Sequence, residues 1–201
     1  MKTLGHLQHE AHHSIGEGRI ALLGLLTIQA FLGYEWLMSG LTKVVRGGFP
    51  SGLADELTEK SEGAAGWYTD FLDSTVIPNA TLFAYLIMVG EVLIGVVLIA
   101  AAAAWLWRWE RLNHVGRVAV LAGTALASIA AIFMNVNFHV ANGSSHPWLI
   151  PADGFDEGVD MDSLLPLLEI VLLVVSTTLL RRLRSAGSGR QLEDGGTPSS
   201  A

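Results

Sequence analysis

Cysteine is absent from all 201 residues. Disulfides, thiolate nucleophiles, persulfides and cysteine-ligated iron–sulfur clusters are therefore excluded within this chain. Charge is also scarce, with Asp, Glu, Lys and Arg making up 15% of the residues, against about 25% in soluble domains. Basic residues are the rarer sign, 12 against 19 acidic, for a net charge of −7. That balance speaks against nucleic acid as a partner. A shared haem is excluded at His114 and His139, which stand at opposite ends of one apolar run. No metal centre is expected.

What the chain has in quantity is apolar sequence: 51% hydrophobic residues and a mean hydropathy of +0.44. This suits one domain and is too apolar for an ordinary soluble one. Ile20 to Val45 is charged only at Glu35 and Lys43, and Ala80 to Trp107 only at Glu91. Val118 to Val140 carries no charge, and Ser163 to Leu180 only Glu169. Each run meets or nearly meets the ~20 residues needed to cross ~30 Å of hydrocarbon as a helix. A soluble bundle would need polar stripes at helical spacing, and Val92 to Trp107 shows none. The expected fold is all-α: an integral membrane four-helix bundle with spans near 20–45, 80–107, 118–140 and 163–180.

Residues 1–18 read as a polar leader. Its His6, His9, His12 and His13 are taken as solvated side chains at the membrane edge rather than a metal site. The first span is too long for a secretory signal, lacks a small-residue cleavage site and contains Glu35. Residues 185–201, rich in Ser, Gly, Pro and Thr, read as a disordered tail.

Orientation follows from Lys and Arg. Lys2 and Arg19 lie before the first span, Arg108, Arg111 and Arg117 in the middle connection, and Arg181, Arg182, Arg184 and Arg190 after the last. Both termini and the middle loop are expected in the cytoplasm, with the acidic loops outside. The first outer connection, Gly47 to Asn79, is long. Its pairs Leu53/Leu57 and Trp67/Phe71 suggest two short amphipathic helices lying over the bundle mouth. Trp105, Trp107 and Trp109 beside the middle arginines form an interface belt.

A carboxylate inside a span costs about 2.5–3.5 kcal/mol, so it normally faces the bundle interior with a partner or a task. Helix rise puts Glu35 and Glu91 ~16 Å below the outer surface, and Asn135 and Glu169 ~9 to 10 Å below it. All four spans thus bring a polar group to the outer half or midplane. Glu35, Ser39 and Lys43 share one stripe; Asn135, His139 and Asn142 share another, with Asn137 pointing elsewhere. Gly90 and Gly95 flank Glu91 and permit close helix approach. Such groups also serve as interhelical glue. As a set they are read as functional: Glu35 and Glu91 as proton-exchanging catalytic groups, Lys43 and Arg46 as anion-orienting groups, and Asn135, His139 and Glu169 as substrate-binding groups.

The residues Arg19, Gly33, Trp36, Gly40 and Lys43, then Gly90-Glu91 through Gly95, then Met134 to Phe138 with Asp160-Met161-Asp162, resemble the DoxX/DoxD-like membrane proteins over about 18–182. The motifs carried over fall on Lys43 and Glu91, and on Glu35 and Asn135. The resemblance implies a four-helix membrane bundle in a bacterial or archaeal cytoplasmic membrane. For the DoxD branch it implies the quinone-reacting subunit of a thiosulfate:quinone oxidoreductase, forming tetrathionate. Expected partners are the lipid bilayer, quinone, a second redox subunit and further copies of the chain. The other reading is a non-catalytic membrane scaffold that recruits a soluble redox enzyme through its arginine-rich side.

Overall fold

The computed structural model describes the backbone over residues 2–141 and 161–194, and the side chains over 18–141 and 163–185. Six α-helices follow in order: α1 Lys2–Arg46, α2 Phe49–Lys60, α3 Gly66–Phe71, α4 Ala80–Arg108, α5 His114–Ala141 and α6 Met161–Asp194. No strand occurs among the described residues. The fold is the expected all-α bundle, and four helices, α1, α4, α5 and α6, are long and apolar enough to cross a membrane. Phe31, Tyr34, Leu86, Val89, Phe133 and Val174 stand exposed on their outward faces. Exposed apolar surface on that scale is what a lipid-facing bundle presents and what a soluble monomer avoids. These are the features of a multi-pass membrane protein.

Helix ends follow local chemistry. α1 stops where Gly47 and Gly48 take left-handed conformations (φ 68° and 78°), open to glycine without steric cost. Pro50 then sits in the first turn of α2, where its missing N–H is no loss. The Asn113 side chain caps α5 by accepting from Gly116 N at 2.8 Å. Between α3 and α4 the chain continues as a π-helical turn, Leu72–Val76, and a 3-10 turn, Ile77–Asn79.

Two differences from the sequence reading concern the ends. The leader is helical and continuous with the first span, so α1 runs from Lys2. α6 runs to Asp194, past the residue-185 boundary at which composition suggested disorder. The second outer connection and its acids fall on 142–160, outside the described residues, as does Asn142.

α1 packs along α4, and α5 along α6; α4 and α5 join the two pairs. α2 lies over α4 and caps one end of the bundle; at the other, the open end, no α-helix lies across it among the described residues. The two cap helices were expected, but one of their faces was not. In α3 the apolar pair Trp67 and Phe71 is exposed, while Tyr68 is buried with Leu72 and Val76 against Ala141. The Tyr68 hydroxyl donates to Asn137 O at 3.2 Å, tying the cap to α5.

The α1–α4 contact sets the register of everything below. A β-carbon placed on Gly95 would sit 2.5 Å from Leu37 N and 2.7 Å from Gly33 O. One placed on Gly40 would sit 2.9 Å from Val92 N and 3.0 Å from the Glu91 β-carbon. Only glycine allows the two backbones this close, and close packing is the main force that joins helices in lipid. Gly90, the other glycine beside Glu91, faces Met134 of α5 at ordinary contact distance.

Candidate functional site

Close packing at Gly40 lays Glu91 of α4 against α1, within reach of Lys43 one turn further on. The Lys43 ammonium donates to Glu91 Oε1 at 2.7 Å, to Glu91 Oε2 at 2.8 Å and to Ser39 Oγ at 2.8 Å. Those bonds use all three of its protons. The Phe49 ring, from the first turn of α2, lies 5.4 Å from the same ammonium, a cation–π contact that covers it from the capped end. Glu91 is 1% exposed and Lys43 24%. A buried carboxylate held this way is compensated as fully as such a group can be.

A second carboxyl lies on α6. Glu169, 0% exposed, accepts from the Trp36 indole nitrogen at 2.6 Å through Oε1. Its Oε2 has no hydrogen-bond partner among the described residues, and neither does Asn135 Nδ2. Both atoms are buried, on the closely packed pair α5 and α6. His139 is buried one turn from Asn135 on the same helix. The Asn137 side chain lies apart from them, its Oδ1 accepting from the Tyr68 hydroxyl of the cap at 3.4 Å and its Nδ2 donating to Phe133 O at 2.7 Å.

The remaining site residues of the sequence reading fall elsewhere. Ser39 and Lys43 do share a stripe, but the carboxylate that answers Lys43 comes from α4 and not from Glu35. Glu35 is half-buried on the flank of α1 and has no hydrogen bond or ion pair among the described residues. Arg46 is exposed at the capped end of α1.

Sequence reasoning missed Trp36 as a hydrogen-bond donor, and it missed a second polar layer nearer the open end. Gln29 Nε2 donates to Leu98 O at 3.0 Å and to Thr124 Oγ1 at 3.4 Å. Ser128 and Ser176 are buried at the same level. Each layer takes one group from each spanning helix. Trp36, Glu91, Asn135 and Glu169 form the first; Gln29, the Leu98 carbonyl, Ser128 and Ser176 form the second. The partners on every helix are seven residues apart, two turns or about 10 Å. That spacing was a usable signal, because it projects the second layer from the residues of the first.

Leu32, Trp36, Ile94, Leu98, Ala131, Leu165 and Leu172 fill the space around and between the layers as one apolar cluster. The polar groups therefore act in a dry setting, where electrostatic interactions are strong and unpaired polar atoms are costly. A carboxyl with one oxygen held by a neutral donor and the other unpartnered can give or take a proton. A carboxylate bound at both oxygens by an ammonium is poorly placed to do so.

No family model matches the chain, and no curated protein or solved structure matches it at a significant level.

Proposed function

We propose that this chain is a membrane redox subunit that reacts with a quinone between its helices. The observation that carries this reading is Glu169, fully buried with Trp36 on one oxygen and no partner among the described residues on the other. A quinone offers two carbonyl acceptors on a lipid-soluble body and takes up two electrons and two protons. The buried donors and acceptors suit such a headgroup. Asn135 Nδ2 can donate to a carbonyl, and Glu169 can deliver a proton to one. The apolar cluster around them excludes water.

In this reading the roles divide by position. Glu169 exchanges protons, with Trp36 fixing its orientation. The Lys43–Glu91 pair holds α1 to α4 and contributes a fixed local field. An anionic donor at the capped end is oriented by Arg46, whose charge is exposed, since Lys43 has no proton to spare. With thiosulfate as donor, as the DoxD resemblance suggests, two thiosulfates join through a new sulfur–sulfur bond to give tetrathionate. The two electrons released reduce one quinone, with two protons, to the quinol.

The scaffold reading is favoured by a different feature, the exposed arginines Arg108, Arg111, Arg181 and Arg182 at the open end. One preparation separates the two. The protein purified in mild detergent is assayed for co-purified quinone and for thiosulfate-dependent reduction of a short-chain quinone. Activity that falls in Glu169→Gln supports the redox reading. No bound quinone and no reduction with thiosulfate would remove it and leave the scaffold.

A further inference from the structure

Three of the four sides of the bundle are closed by helices in close contact: α1 with α4, α4 with α5, and α5 with α6. The fourth side, between α1 and α6, is different. Among the described residues these helices approach at only a few points. Their link is made by side chains: the Trp36–Glu169 hydrogen bond and the cluster that includes Leu32, Leu165 and Leu172. Helices joined this way can part without breaking close backbone packing, because no glycine contact locks them.

The seam also has a polar group at its margin. Glu35 lies on the α1 flank away from α4, half-buried at mid-span and with no partner among the described residues. A carboxyl at that depth without a partner is costly in hydrocarbon. The α1–α4 side, by contrast, has its carboxylate fully paired. The slack side is thus bridged by a carboxyl, Glu169, whose Oε2 has no partner among the described residues, and it has Glu35 nearby.

We propose that the α1–α6 seam is a lateral binding site for a lipid-soluble quinone, which enters from the membrane and lodges its carbonyl headgroup beside Trp36 and Glu169. The inference rests on the redox reading above and adds the place and the route. Access from the bilayer suits the Trp36–Glu169 bond, which spans the slack pair, whereas at the capped end α2 and Phe49 lie over the ion pair. Glu35 then stands at the margin of the route, where a headgroup passing inward meets its first hydrogen-bonding partner.

The absence of cysteine from the chain makes the seam directly testable. The full-length protein in lipid nanodiscs is irradiated with a photoactivatable short-chain quinone, and labelled peptides are mapped by mass spectrometry. Label that competes with unlabelled quinone is expected on 32–39 and 165–172. A Leu32→Cys/Leu172→Cys variant is then joined across the seam with a short, cleavable bifunctional thiol reagent. If about nine-tenths of the molecules are locked, binding capacity should fall roughly tenfold while the unlocked molecules keep their affinity, and capacity should return when the link is cleaved. Competable label elsewhere, unaffected by the link, would overturn the seam and leave quinone binding intact. No competable label anywhere would overturn both.

Discussion

Two polar layers cross this bundle about 10 Å apart, and they are built differently. The layer nearer the capped end contains a lysine, two glutamates, a tryptophan and an asparagine. The layer nearer the open end contains a glutamine, a threonine and two serines. In the neutral layer Gln29 donates to the Leu98 carbonyl of α4 and to a hydroxyl of α5, and Thr124 also donates back to Val120 O. Groups of this kind steady a bundle at small cost and offer no proton to exchange. In the charged layer one glutamate is saturated by Lys43 and the other is held at a single oxygen. The contrast separates polar groups that assemble the bundle from polar groups that leave chemistry available. Burial alone does not make that distinction, since Gln29, Ser128, Glu91 and Glu169 are all buried.

Mutations should rank accordingly. The largest effect is expected from Lys43→Met, which leaves Glu91 buried without its counter-ion. Loss of about 3–5 kcal/mol is expected, read as early unfolding in a detergent titration. The double change Lys43→Met/Glu91→Met should recover most of it. Wild-type stability in the single variant would mean that the pair is not what joins α1 to α4.

Next comes Glu169→Gln. The amide keeps an acceptor for Trp36 and removes the exchangeable proton. Quinone reduction should drop by roughly 10²-fold while the unfolding midpoint stays close to wild type. Unchanged turnover in a folded variant would place Glu169 with the assembly groups. Between the layers, Gly95→Ala should cost about 1–3 kcal/mol through overpacking, because its methyl meets backbone atoms of Leu37 and Gly33. Gly90→Ala, whose methyl would meet only the Met134 side chain at 3.4 Å, is the matched control and should be nearly neutral. The smallest effect is expected in the neutral layer, where Gln29→Leu should cost about 0.6 kcal/mol and leave any quinone chemistry unchanged. A loss of turnover there as deep as in Glu169→Gln would erase the distinction between the layers.

Much of this architecture was legible in the chain. The four spans follow from apolar length, and Glu91, Glu169 and Lys43 stand out because each breaks an apolar run. Asn135 and His139 are correctly read as one buried stripe. The pairing of these groups was not legible. Glu35 lies on the same stripe as Lys43 by helical spacing, yet Lys43 bonds to Glu91, 48 residues away. Which carboxylate wins depends on the rotation and height of α1 against α4, and that is set by Gly33, Gly40 and Gly95 in contact. The neutral layer escaped notice because glutamine, serine and threonine barely disturb a hydropathy profile. Trp36 escaped because an indole inside an apolar run reads as packing.

The long sequence separation of the ion pair also imposes an order on biogenesis. α1 enters the bilayer with Lys43 near its end, where the flexible stem lets the ammonium remain hydrated. α4 follows with Glu91 well inside the run, a group that costs about 2.5–3.5 kcal/mol to place in lipid alone. α1 must therefore stay beside the insertion site until α4 arrives, and the glycine contacts let the two helices close at once. A ribosome-held chain long enough for α4 to have left the exit tunnel, but not α5, should already show residues 43 and 91 in proximity, and finding them apart would break this order. The first two spans then form a finished half-molecule, onto which α5 and α6 dock. The slack α1–α6 side is where that late docking ends, the last joint made and the least tightly sealed.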